Sequence, residues 1–225
     1  PDLQPKTAAD RGTQIHQEAE DYVLGKSGLT HNLRHFEEDF AALAAHAKDG
    51  RVTCEQEWGF DDQWNPVEWR RAWLRLKADA VCHLDATHAV VVDFKTGKRF
   101  GNEIKHARQL QLYAVCALIL YPNLEQVTCE LWYLDQNELA DFTMKRSQLK
   151  NYLKIFDKAG IEFTTESEFK PNPNIYSCKY CPYHPSKQGD CAFGAVTEAH
   201  MNTPTSDFSN LKPVSFYMDE FKGRF

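Results

Sequence analysis

Residues 72–95 can fold in few ways other than as two neighbouring strands. Ala72, Leu74, Leu76, Ala78, Ala80 and Cys82 share one parity, and Trp73, Arg75, Lys77, Asp79 and Val81 the other. A strand here has one apolar face and one mostly polar face. Asp85-Ala-Thr-His88 follows as a loop, and Val90-Val-Val opens a β-branched run that ends in Asp93-Phe-Lys95-Thr-Gly97. Successive side chains of a strand point to opposite faces, so Asp93 and Lys95 emerge together at its end while Phe94 points back into the core. A carboxylate beside an ammonium at a strand end suits metal-assisted attack on a phosphodiester. The acid holds a divalent cation, and the lysine orients or deprotonates a water and offsets phosphate charge. The plain alternative is a surface ion pair that closes a turn at Thr96-Gly97, and Asp-X-Lys alone does not choose between them.

The neighbours bear on that choice. Across a short hairpin, Asp79 lies opposite or diagonal to Asp93, within the reach of cross-strand pairs. Two carboxylates on one face repel unless a cation sits between them, although Lys77 or Arg75 could balance Asp79. A leading helix carries His16, with Glu20 one turn on, and a lone helical histidine is more often a satisfied structural residue. A later apolar helix places Gln109 and Tyr113 on one face, four residues apart. They read either as boundary residues or as partners of a phosphate or a water.

The 225-residue chain is 42% hydrophobic and 12% aromatic, enough for one well-cored domain with elaborations. The spacing predicts helices over 12–25, 32–48, 102–121 and 147–158, the last ended by Gly160. Strands are expected at 52–60, 70–84, 89–95, 126–134 and 139–144. This order predicts an α/β arrangement around one mixed sheet. Residues 1–165 read as the core, and 166–225 as a loop-rich appendage packed on it, with Pro, Asn, Ser and Gly prominent from Pro171 onward. No apolar run approaches the roughly 20 residues of a membrane span and no signal core opens the chain, so a soluble, cytoplasmic protein is expected. A net charge of −6 argues against broad nonspecific nucleic-acid binding. Yet Arg70, Arg71, Arg75, Lys77, Lys98, Arg99, Lys105 and Arg108 flank the Asp93 motif, as a phosphate track or as a solvated face. Of the seven cysteines, Cys54, Cys82, Cys116 and Cys129 sit in apolar segments as small hydrophobes, and Cys178, Cys181 and Cys191 cluster.

Taken together, these blocks resemble the RecB-like group of the PD-(D/E)XK nuclease superfamily, which includes RecB and AddAB nuclease domains and CRISPR-associated exonucleases. Gly12-Thr-Gln-Ile-His16 resembles the family's Gly-x-x-x-His helix, and Lys77-Ala-Asp79-Ala-Val81 its acidic strand. Val91-Val-Asp93-Phe-Lys95-Thr-Gly97 is similar to its Asp-Tyr-Lys-Thr-Gly motif, with Phe94 in place of tyrosine. Gln109-Leu-Gln-Leu-Tyr113 is similar to its Gln-x-x-x-Tyr helix, and the order is the family's over about residues 10–145. The resemblance implies a restriction-endonuclease-like core. It implies that His16, Asp79, Asp93 and the Phe94 carbonyl ligate Mg²⁺ or Mn²⁺. An imidazole among the ligands favours Mn²⁺. It further implies that Lys95 positions the attacking water, that Gln109 and Tyr113 contact DNA or order the lysine, and that Glu20 stands behind the ligands.

Cys178-x-x-Cys181 with Cys191 is similar to the iron–sulfur staple of some RecB-like nucleases, which uses four cysteines, but no cysteine precedes Cys54. A 4Fe–4S cluster, a zinc site completed by His184, and three reduced thiols all stay open. The expected activity is a metal-dependent DNA nuclease, an exonuclease on DNA ends or single strands in recombination, repair or phage DNA processing. Such a phage enzyme would work in the host cytoplasm, alone or with a recombination or replication partner. A structure-specific or single-strand endonuclease and an inactive DNA-binding module are the rivals. No Walker A sequence is present, so no helicase motor is expected in this chain.

Overall fold

A computed structural model describes residues 7–97, 103–168, 173 and 175–193. Residues up to Thr164 form one compact unit and those from Thr165 another.

The first unit is a five-stranded mixed sheet between two helical layers. Strands β1 (Val52–Phe60), β2 (Leu74–His83) and β3 (His88–Lys95) form an antiparallel meander; β4 (Gln126–Tyr133) runs parallel to β3, and β5 (Glu138–Lys145) antiparallel to β4. The parallel step needs a crossover, supplied by helix α3 (Glu103–Leu120). Both faces of β3 are therefore covered, which is why its sequence reads as a nearly continuous apolar run. Helices α1 (Ala8–Val23) and α2 (Glu37–Lys48) cover one face, burying Ile15, Leu33, Phe40, Val92, Phe94 and Trp132 together. Helix α3 covers the other, burying Val81, Val91, Val115, Leu118 and Leu131, with Tyr152 and Phe156 of α4 (Leu149–Thr165) packed against them.

The α/β expectation and all five strands hold, with instructive differences at the ends. Helix α1 starts at Ala8 rather than residue 12, because Thr7 and Asp10 form a reciprocal capping box. The expected helix over 32–48 is a 3₁₀ turn, His31–Phe36, leading into α2. Strand β2 begins at Leu74, since Trp69–Arg71 is a 3₁₀ turn. Helix α4 does not stop before Gly160 but runs through it to Thr165. The reason is packing: a Cβ on Gly160 would lie 2.4 Å from the Trp73 ring. A glycine here lets helix and indole touch, which outweighs its cost of about 1 kcal/mol in a helix interior.

The second unit, expected to be loop-rich, holds a short helix, α5 (Ile175–Tyr180), then a 3₁₀ turn, Pro185–Lys187. Backbone bonds Cys181 N–H to Cys178 O, His184 N–H to Cys181 O and Cys191 N–H to Tyr183 O knit this segment. Among the described residues no helix is long and apolar enough to cross a membrane.

Candidate active site

Strands β2 and β3 stay paired only as far as Ala80 and Val92. Beyond that point they part, and Asp79 and Asp93 stand at the fork. Asp79 fills the gap with its side chain: the Phe94 N–H donates to Asp79 Oδ2 at 2.6 Å, where a neighbouring strand would have offered a carbonyl. Asp79 Oδ1 lies 3.1 Å from His16 Nδ1. Asp93 Oδ1 receives the Tyr113 hydroxyl at 2.9 Å and the Gln109 amide at 3.0 Å, and its other oxygen meets the Lys95 ammonium. The side-chain parity expected for Asp93, Phe94 and Lys95 is met: Phe94 is buried in the α1–α2 layer while Asp93 and Lys95 form an ion pair.

The fork coincides with a change of face. Val52 and Cys82 pack towards α1 and α2, whereas Trp58, Phe60 and Ala78 pack towards α3. All five residues keep the same parity along their strands, so the β1–β2 pair turns its apolar side over between Cys54 and Gln56. Glu55 marks the turn, with a left-handed φ of 54°, a conformation that costs a non-glycine residue about 1–3 kcal/mol. The register sets Glu55 opposite Asp79, between the pairs Cys54–Ala80 and Gln56–Ala78. Because the sheet rolls here, one carboxylate can meet a histidine from one helical layer while its neighbour meets an amide and a phenol from the other.

Helix α1 is held against this fork by two local features. A Cβ on Gly12 would come within 3.3 Å of Thr96 Oγ1, so its absence admits the helix to the end of β3. Arg11 clamps Asp135 with bonds of 2.9 and 2.7 Å, and Asp135 also receives the Gly97 N–H at 2.7 Å. That clamp holds the Asp135 carboxyl below the usual carboxylate range. His16 is thereby aimed into a cleft of about 390 Å³, with Glu20, Glu55, Lys77 and Asp79 on its walls.

The residues singled out in the sequence mostly converge, with shifts of partner. Gln109 and Tyr113 hold Asp93 rather than Lys95, and Tyr113 also donates to the Lys77 carbonyl at 2.7 Å. Burial, then the charge of Asp93, keeps the Tyr113 phenol protonated and a donor. Glu20 lines the cleft and pairs with Lys26 at 3.4 Å. Sequence reasoning missed Glu55, whose only outward sign is its position opposite Asp79 once the strands are aligned. Lys98 and Arg99 lie outside the described residues; Arg75 stacks on Trp69 with its guanidinium 5.6 Å from the ring centre. Cys82, Cys116 and Cys129 are buried, as expected of small hydrophobes, and burial raises the half-buried Cys54 thiol to about 11.

The donor set fits a divalent cation. Ligand atoms of His16, Glu55 and Asp79 lie within 4.8 Å of one another, and buried Asp93 Oδ2 is held by the Lys95 ammonium. Cys178, Cys181 and Cys191 are half-buried and free, and His184 is buried beside Ser186, with Nδ1 accepting its N–H at 3.2 Å. Among the described residues these four do not bring three donor atoms within 4.8 Å, so they do not form a ready metal site.

Both His16 and Asp93 hold protons more tightly than usual. Burial works against the His16 imidazolium, but the Asp79 hydrogen bond and the nearby carboxylates prevail, so its pKa rises. Burial is the chief cause raising the Asp93 carboxyl, opposed by Lys95 and aided by Asp79. A cation entering the cleft must displace such protons, so its affinity falls as pH drops through the raised values and recovers above them. Mn²⁺ titration followed by the EPR signal of the free ion should show about tenfold weaker binding per pH unit below the ordinary histidine range. Equal affinity at about pH 5.5 and about pH 8 would show that neither group faces the ion.

A family model described as "PDDEXK_1: PD-(D/E)XK nuclease superfamily" matches residues 1–186. Among solved structures, one described as "Crystal structure of SSO0001" is similar at 16% identity, covering 80% of this chain and 71% of that chain with a TM-score of 0.37. No curated protein matches the chain.

Proposed function

We propose, for a chain that belongs to the PD-(D/E)XK nuclease superfamily, that it is a RecB-like, divalent-metal-dependent deoxyribonuclease acting from DNA ends. The observation that supports this reading is the β2–β3 fork, where Asp79 bonds to His16 and to the N–H that follows Asp93, while Asp93 pairs with Lys95. A bound cation supplies Lewis acidity toward the phosphate and makes water a better nucleophile at neutral pH. His16, Asp79 and Asp93 would hold it, with the Phe94 carbonyl as a further ligand. Gln109 and Tyr113 fix the Asp93 carboxylate by donating to the oxygen that does not face Lys95. Lys95 orients the attacking water and offsets charge that grows on the phosphate in the transition state. Nitrogen from His16 in an otherwise oxygen set favours Mn²⁺ over Mg²⁺.

Action from ends rests on the order of motifs shared with RecB-like exonucleases. The biological setting in keeping with it is recombination, repair or phage DNA processing in the cytoplasm of a cell or of a phage host. The test is digestion of linear and of closed circular DNA in Mn²⁺, beside Asp93→Ala. Loss of linear DNA with intact circles is the expected result. Nicked circles would establish an endonuclease in its place, and equal behaviour of wild type and Asp93→Ala would remove the nuclease reading.

A further inference from the structure

The cation cleft contains a charge arrangement that the ligands His16, Asp79 and Asp93 do not explain. Glu55 sits opposite Asp79 in the β1–β2 register, and its carboxylate comes within 4.8 Å of donor atoms of both Asp79 and His16. It does not stand alone there: the Lys77 ammonium is ion-paired to Glu55 Oε2. Glu55 is the more enclosed partner, with its side chain 27% exposed against 47% for Lys77. An ammonium thus rests on a carboxylate at the mouth of a site with a mixed nitrogen and oxygen donor set. Beside it, buried Asp93 Oδ2 is paired with the Lys95 ammonium. Lys77 and Lys95 supply two positive charges against the carboxylates Glu55, Asp79 and Asp93. The Lys95 charge is tied to a buried acid, whereas the Lys77 stem reaches open solvent.

We propose that Glu55 is a further ligand of the divalent cation, and that Lys77 is its built-in competitor. The ammonium holds Glu55 while no cation is bound and gives it up when one binds. The inference rests on reading the cleft as a nuclease's cation site, and deepens that reading. A divalent ion among these carboxylates repels a nearby ammonium. The exchange therefore moves Lys77 off Glu55 and outward into solvent, where a DNA phosphate would approach. One movement would both complete the ligand set and free a cation for substrate.

The test uses Mn²⁺ alone, with DNA-free full-length protein, and reads affinity by calorimetry or by the EPR signal of free Mn²⁺. Glu55→Gln keeps shape and removes charge, and should weaken Mn²⁺ binding at least about tenfold. Lys77→Met keeps the stem and removes the competitor, and should tighten binding about threefold to tenfold. The double variant should bind like Glu55→Gln alone, because Lys77 acts only through Glu55. Thermal melts by circular dichroism confirm that each variant is folded, and should Glu55→Gln fail to fold, the sign of the Lys77→Met effect decides. Glu55→Gln binding within about twofold of wild type, or Lys77→Met binding more weakly, overturns the proposal while the nuclease reading stands. A wild type that binds no Mn²⁺ overturns the nuclease reading with it.

Discussion

Lys95→Met should slow hydrolysis of linear DNA in saturating Mn²⁺ by about 10²–10³-fold, the usual effect of removing one preorganised charge from a developing oxyanion. The side chain is 23% exposed at the fork, and its ammonium touches Asp93. Two effects of the loss run in opposite directions. On the proposed mechanism, the reaction loses the group that orients water and offsets phosphate charge. With Asp93 as a proposed ligand, the cation site loses a positive charge held against it, so Mn²⁺ affinity should stay the same or tighten. Single-turnover rates measured beside Mn²⁺ titrations separate the two. Arginine is no substitute, because a planar, weakly hydrated fork replaces a compact ammonium, so Lys95→Arg should remain at least about tenfold slow. A Lys95→Met enzyme with the wild-type rate would remove the lysine from the chemistry, and weaker Mn²⁺ binding would recast it as a scaffold for Asp93.

Much of this site was legible in the sequence because strand parity and helical spacing fix directions. Asp93 and Lys95 had to share a side, and Asp79 had to stand across the hairpin from Asp93; the ladder ending at Ala80–Val92 bears this out. Gln109 and Tyr113 had to share a helix face, and both reach Asp93 Oδ1. Glu55 was not legible, because parity fails where a strand pair rolls over. Alternation along β2 predicts one apolar face throughout, yet Ala78 and Cys82, on one parity, pack into different layers, as do Trp58 and Val52 of β1. The roll depends on a glutamate in a left-handed conformation, which no local sequence signal announces. Gly160 misled for a related reason. A glycine near the end of a helical pattern reads as a terminus, and only the Trp73 ring packed against it reveals the need for a missing Cβ. The α1 start shows the opposite case, since Thr7 and Asp10 carried the capping signal openly in the sequence.

The aromatic cluster beneath the fork carries the second large effect. Phe40 of α2 is fully buried, with its ring 5.2 Å from Phe94, 5.1 Å edge-on from Trp132 and 6.1 Å edge-on from Tyr22. Phe36 stacks on the far side of this group, 5.2 Å from Trp132 with planes 7° apart. These rings join the helical layer to Phe94 and Trp132 of the sheet, and they enclose the side chain that lies between Asp93 and Lys95 in sequence. Phe40→Ala removes the central ring, and close neighbours cannot collapse into the space without giving up their own stacking. The expected cost is about 3–5 kcal/mol, a large share of the roughly 5–15 kcal/mol that holds a domain of this kind together. Urea unfolding should show a lower midpoint with an unchanged slope. Phe40→Leu refills most of the volume and should cost no more than about 1.5 kcal/mol. Phe163 of α4 is 77% exposed, and Phe163→Ala should stay within about 0.5 kcal/mol of wild type. A loss below about 1.5 kcal/mol for Phe40→Ala would mean that the α1–α2 layer rests on the sheet through other contacts. The clamp between Arg11 and Asp135 would then be the next place to cut.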